Sequence, residues 1–182
     1  PSLFATESFD VTVVNVAPTI ETMSGPVHLL EGQSGVFSAV ASDPGDDPLT
    51  YVWDFGDGSP QGHGDVVQHT FADDGVYLVT LTVQDGDGGV TVSTRLVSVE
   101  NAAPTVAAVP QLTVNEGQLL SLAGLVTITD PGFANAAIGL AETFTSIIDW
   151  GDSSTPQSGS VTVDTVGAPG VPTVGSLDAD YT

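Results

Sequence analysis

Tyr51-Val52-Trp53-Asp54-Phe55-Gly56-Asp57-Gly58-Ser59 is the stretch that decides the fold. Tyr51, Trp53 and Phe55 alternate with Val52 and Asp54, which puts the rings on one side of an extended chain. Asp57-Gly58 then supplies the residues of a tight turn. The same alternation recurs in Tyr77, Val79, Leu81 and Val83, and near the start in Phe9, Val11 and Val13. Asp43-Pro44-Gly45-Asp46-Asp47-Pro48 and Asp85-Gly86-Asp87-Gly88-Gly89 punctuate these runs as turns. No segment carries a capped 3.6-residue period. The pattern predicts an all-β protein.

Working outward, the chain repeats itself. Asn15-Val16-Ala17-Pro18-Thr19-Ile20 returns 86 residues later as Asn101-Ala102-Ala103-Pro104-Thr105-Val106. Glu31-Gly32-Gln33 returns as Glu116-Gly117-Gln118, and Asp43-Pro44 as Asp130-Pro131. The deciding stretch itself returns as Ile148-Asp149-Trp150-Gly151-Asp152-Ser153-Ser154. A period this long predicts that each copy is a domain rather than a solenoid turn. In this register Ser8 to Asn15 matches Thr94 to Asn101, the last strand of a repeat, and Tyr181-Thr182 matches His69-Thr70. We therefore expect a leading strand over residues 1–16 that belongs to a preceding repeat. A complete sandwich should follow over 17–102, then a second over 103–182 that lacks its last two strands. Opening at Pro1, the sequence reads as an internal or processed segment.

Composition narrows the function. There are 23 acidic residues against a single Arg95, for a net charge of −22. A phosphate backbone or an anionic membrane surface needs clustered Lys or Arg, so both are disfavoured as partners. With 41% hydrophobic residues there is material for real cores. The absence of cysteine removes disulfides and thiolate metal sites. No apolar run approaches the roughly 18 residues of a membrane span.

Tyr51-x-Trp53-Asp54-Phe55-Gly56-Asp57-Gly58-Ser59, then His69-Thr70-Phe71, then Gly75-x-Tyr77-x-Val79-x-Leu81-x-Val83-x-Asp85 resembles the signature of the PKD domain family. The resemblance spans most of residues 17–102. It is weaker in the second copy, which moves its Trp, has Ser153 in place of Gly58 and carries an insertion around Phe133–Thr145. It implies tandem immunoglobulin-like β-sandwiches of extracellular or cell-surface proteins, acting as spacers, adhesive units or substrate contacts.

Asp54/Asp57, repeated as Asp149/Asp152, has the residue types of a glycosidase couple. A pair that recurs in both copies and leads into a turn is better read as turn chemistry. His63, His69 and Asp65 lack an accompanying nucleophile motif. We expect no catalytic site. The acidic loops point instead to Ca²⁺, which takes several oxygen ligands from flexible loops. In a sandwich of the family's kind, the Asp43/Asp46/Asp47 and Asp85/Asp87 loops lie at one end, where the linker from Asn15 to Pro18 enters. Glu31, Asp57, Asp73, Asp74 and Glu100 gather at the other end, facing Asp130. The expected ligands are Asn15, Asp43, Asp46, Asp47, Asp85 and Asp87, with Asn101 and Asp130 at the second junction.

The leading expectation is a non-catalytic structural or adhesive repeat, stiffened by calcium at its junctions, with adjacent repeats or copies as partners in head-to-tail assembly. The alternative is an accessory module that holds a secreted hydrolase on polysaccharide or protein.

Overall fold

The computed structural model describes residues 6–107, 111–113, 115 and 118–181. Every regular element in them is a strand. The first eight are β1 (Thr19–Ser24), β2 (His28–Leu30), β3 (Ser34–Ser42), β4 (Thr50–Asp54), β5 (Gly62–His63), β6 (Val66–Thr70), β7 (Gly75–Gln84) and β8 (Val90–Glu100). They form a three-stranded sheet, β1-β3-β6, and a five-stranded sheet, β2-β8-β7-β4-β5.

The alternation noted in the sequence makes the core. Phe37 and Ala39 of β3 meet Trp53 of β4, Val79, Leu81 and Val83 of β7, and Val97 and Val99 of β8. Residues one position away, such as Val76, Leu78 and Leu96, stand outside. Trp53 is fully enclosed, and its indole N–H donates to the Gly64 carbonyl at 2.9 Å.

The second copy is built from β9 (Thr105–Val106), β10 (Leu120–Asp130), β11 (Ser146–Ile148), β12 (Gln157–Thr165) and β13 (Thr173–Tyr181). β10 pairs with β9 and β13 as β3 pairs with β1 and β6. The register is the same at both ends of the ladder. Thr19 faces Ser42 and Thr105 faces Thr129, while Gly35 faces His69 and Leu120 faces Tyr181. Gln118 to Asp130 runs two residues longer than Gln33 to Asp43. The excess is taken up by an irregularity between Leu122 and Val126, where Gly124 has φ 62° and donates to Asp178 Oδ1 at 2.7 Å. Glu116, Gly117 and Thr182 of the repeated motifs lie outside the described residues, as do residues 1–5 of the leading segment.

Closure differs between the copies. The middle of the facing sheet in residues 19–100 is β7 and β8, and among the described residues from 105 on no strand takes the place of either. The β11–β12 hairpin, counterpart of β4–β5, instead joins the edge of β13 in one five-stranded sheet, β11-β12-β13-β10-β9. Val126, Ile128, Phe133, Leu177 and Ala179 are its buried apolar residues. Trp150 is only half-buried, unlike Trp53.

Residues 6–16 of the leading segment form no strand. Phe9, Val11 and Val13 are 85%, 72% and 89% exposed, whereas Val97 and Val99, which match Val11 and Val13 in the repeat, are buried. Alternation prepares a strand, but backbone N–H and C=O groups adopt one only beside a partner edge. The described residues offer this segment none.

The Asp-rich turns repeat down to the backbone. Asp54 Oδ1 accepts from Gly56 N, Asp57 Oδ1 from Ser59 N, Asp149 Oδ1 from Gly151 N and Asp152 Oδ1 from Ser154 N. Gly58 has φ 73° and its counterpart Ser153 has φ 69°, a left-handed conformation that costs a non-glycine residue energy. Ser153→Gly is therefore expected to stabilise the chain by about 0.5–1 kcal/mol. An unchanged or lower melting temperature in thermal denaturation would show that Ser153 carries no strain.

Candidate cation-binding junctions

At the linker end, the β3–β4 and β7–β8 loops approach each other because β4 and β7 are paired, with Thr50 opposite Gln84. Asp43 shapes the first loop by accepting from Gly45 N at 2.7 Å through Oδ1. Its other oxygen, Oδ2, is buried with no hydrogen-bond partner. Asp85 organises the second loop, accepting from Asp87 N at 3.0 Å and Gly89 N at 2.7 Å. The linker is tied here too. Asn15 Nδ2 donates to Asp85 Oδ2 at 3.0 Å, and the Thr91 hydroxyl donates to the Pro18 carbonyl.

The Asn15 hydrogen bond, more than any other contact, holds the Asp85 carboxyl below its ordinary range. Asp47 is pushed up, first by desolvation and then by the charges of Asp87, Asp43, Asp85 and Asp46. Asp47 therefore feels the charges of the other four. Arg95 is not among them; its Nε donates to the Pro26 carbonyl at 3.3 Å.

The other end is more tightly built. Carboxylate oxygens of Glu31, Asp73 and Asp74 lie within 4.8 Å of one another. Among the described residues no other set of three His, Cys, Asp or Glu side chains comes as close. Glu31 is buried; its Oε1 accepts from Ala102 N at 2.8 Å. Its carboxyl is pushed up by burial and, beyond the opposing Ala102 bond, by Asp130, Asp73 and Asp74. Asp130 is also buried and accepts from Gly132 N at 2.8 Å. Glu142 completes the group, its carboxyl pushed up to about 7 by burial and then by Asp130, Glu31, Asp73 and Asp74.

The expected ligands thus divide. Asn15, Asp43, Asp46, Asp47, Asp85 and Asp87 share the linker end. Asp130 sits with Glu31, Asp73 and Asp74 at the other, and exposed Asn101 adjoins Ala102 there. Glu142 was not anticipated, because it lies in the insertion and has no counterpart in the first copy to mark it.

Asp57, grouped with that end in the sequence, has a different role. Oδ2 meets His69 Nε2 at 2.7 Å, and Oδ1 accepts from the Ser59 hydroxyl at 2.6 Å. Ser59 therefore addresses the carboxylate rather than the imidazole, which is not a nucleophile–base arrangement. The carbonyl of Asp57 accepts from Asn135 Nδ2 at 2.9 Å, and Phe133 N donates to the Ala72 carbonyl at 3.1 Å. These two bonds seat the insertion of the second copy on the first.

The PKD domain family model matches residues 15–99. The chain is 37% identical over 128 residues to Chitinase A of Pseudoalteromonas piscicida, a match covering 65% of this chain and 15% of that protein. Among solved structures, the PKD domain of an M14-like peptidase from Thermoplasmatales archaeon SCGC AB-540-F20 is 25% identical, with a TM-score of 0.44. That alignment covers 47% of this chain and 98% of the domain. The PKD1 domain of Vibrio anguillarum Epp is 30% identical, with a TM-score of 0.40, covering 48% of this chain and 98% of that one. The matched segment runs from the linker residue Asn15 to Val99 near the end of β8 and contains both sheets of the closed sandwich. Over residues 15–99 the chain is therefore similar to PKD domains.

Proposed function

We propose that this chain is a non-catalytic spacer segment of an extracellular multidomain protein, stiffened by Ca²⁺ where its acidic loops meet the linkers. The observation that carries the reading is the buried, unpartnered Asp43 Oδ2 beside Asp46, Asp47, Asp85 and Asp87, with the linker residue Asn15 bonded into the same group. The donor set is all oxygen and no Lys or Arg offsets it, which fits a hard divalent cation. Glu31, Asp73 and Asp74, whose carboxylate oxygens already lie within 4.8 Å of one another, would hold one ion, and Asp43, Asp47, Asp85 and Asp87 would have to draw closer to hold another at the linker end. The ion would supply the positive charge that these loops lack and restrict the Ala-Pro hinge. Taking up the apolar leading segment by a neighbouring repeat or copy belongs to the same reading.

Calcium at about 10 mM is expected to raise stability by about 1–3 kcal/mol, given the submillimolar affinities usual for extracellular modules. Mg²⁺ should do less, because it dehydrates reluctantly. Superimposable melting curves in Ca²⁺ and in chelator, at matched ionic strength, would overturn the reading. Asp43→Asn together with Asp85→Asn should remove the part of the gain that belongs to the linker end.

A second reading is favoured by the likeness to Chitinase A. In it the chain is an accessory module that contacts a polysaccharide for a secreted hydrolase.

A further inference from the structure

A cleft of about 570 Å³ opens where the insertion of the second copy sits on the first. Its floor is the solvent face of the β3–β6 ladder. Ser34 stands there opposite Thr70, and Gln68 lies two residues along β6, opposite Val36. One wall is the loop from Asp57 to Pro60; the other is formed by residues 133–136 and the turn at Pro169-Gly170. Both walls are held in place. Asn135 is bonded to the Asp57 carbonyl and Phe133 to Ala72, and Ala168 and Val171 bond each other across the turn.

The charge of this cleft sets it apart from the rest of the molecule. The chain has a net charge of −22, yet Asp57 is the only acidic residue among the described residues lining the cleft. Asp57 is only 5% exposed, with its oxygens engaged by His69 and Ser59. The rest of the lining carries the hydroxyls of Ser34, Ser59 and Thr70, the amides of Gln68 and Asn135, the His69 ring and small apolar surfaces such as Pro60, Ala134 and Ala136; Ser59, His69 and Asn135 are already bonded to Asp57, which leaves Ser34, Thr70 and Gln68 for a ligand. An anion would be repelled by the surrounding charge, and a cation is better served by the two acidic junctions. A neutral ligand rich in hydroxyl and amide groups matches both the donors and acceptors of the floor and the uncharged walls.

We propose that this cleft binds a segment of an uncharged polysaccharide, with Ser34, Thr70 and Gln68 as its polar contacts. The proposal rests on the accessory-module reading and adds to it a location. Insoluble chitin, with cellulose for comparison, and soluble triacetylchitotriose are the probes.

The experiment compares the whole chain with Gln68→Ala, with Ala136→Trp, and with a Leu78→Ser/Leu96→Ser variant on the outer face of the other sheet. All the substituted side chains are exposed, and circular dichroism checks each fold. The expected result is binding by the unaltered chain, about fivefold weaker binding for Gln68→Ala through the lost hydrogen bond, and a larger loss for Ala136→Trp, which fills the cleft. Leu78→Ser/Leu96→Ser should bind normally. If the unaltered chain binds and the cleft variants bind equally well, the cleft is wrong while the accessory reading stands. If the unaltered chain binds neither polymer nor the trisaccharide, both fall.

Discussion

Trp53→Ala is expected to cost about 3–5 kcal/mol, the usual range for truncating a fully buried aromatic side chain. The indole has no exposed surface and packs against Phe37, with ring centroids 6.1 Å apart. It sits opposite Leu81 in the β4–β7 ladder, so the cavity would open in the middle of the core rather than at its margin. Removing the indole also leaves the Gly64 carbonyl without its donor. A domain of this size is stable by about 5–15 kcal/mol, so the loss is a large share of the total. His63, ten residues further on, is exposed and should be replaceable by alanine with a change within about 0.5 kcal/mol. Urea titrations of the two variants rank them directly. The reverse ranking would mean that β4 presents the wrong face to the core.

Asp57→Asn should be the next most damaging change, at about 2–3 kcal/mol near neutral pH, because it removes a charge-assisted bond inside the sandwich end. His69 cannot simply turn to water. Its ring lies flat on Phe55 at 3.8 Å and edge-on to Phe71 at 4.6 Å. Burial alone would push the Asp57 carboxyl up; the hydrogen bonds from His69 and Ser59 and the charge of His69 more than offset it, so the carboxyl is held below its ordinary value. A carboxyl depressed in the folded state adds stability above the unfolded value of about 3.9, and loses it as pH falls through the lower native value. The gap between the unaltered chain and Asp57→Asn should therefore be full at pH 5 and shrink below pH 4. Guanidinium titrations at pH 5 and pH 3 measure it. An equal gap at both would mean that Asp57 acts through shape alone.

Alternation, turn chemistry and the repeat were all legible in the residues themselves. Val79, Leu81 and Val83 are enclosed as their spacing requires, and the Asp54, Asp57, Asp149 and Asp152 turns are bonded as their Gly and Ser neighbours allow. The repeat even placed Tyr181 in register with His69. Each of these depends on a few neighbouring residues, or on one copy reporting on the other. The tertiary structure decided what depends on a partner far away in the chain. Phe9, Val11 and Val13 alternate as well as any strand, yet remain in solvent because no edge among the described residues receives them. Ile148 and Trp150 repeat the deciding stretch, but their hairpin extends the sheet through β13 instead of covering it. Asp130 and Asp85 read alike as turn carboxylates, and only folding sends one to Glu31 and Glu142 and the other to Asn15. Period and spacing are local, whereas burial, pairing and the field at a carboxylate are sums over segments that only the folded chain brings together.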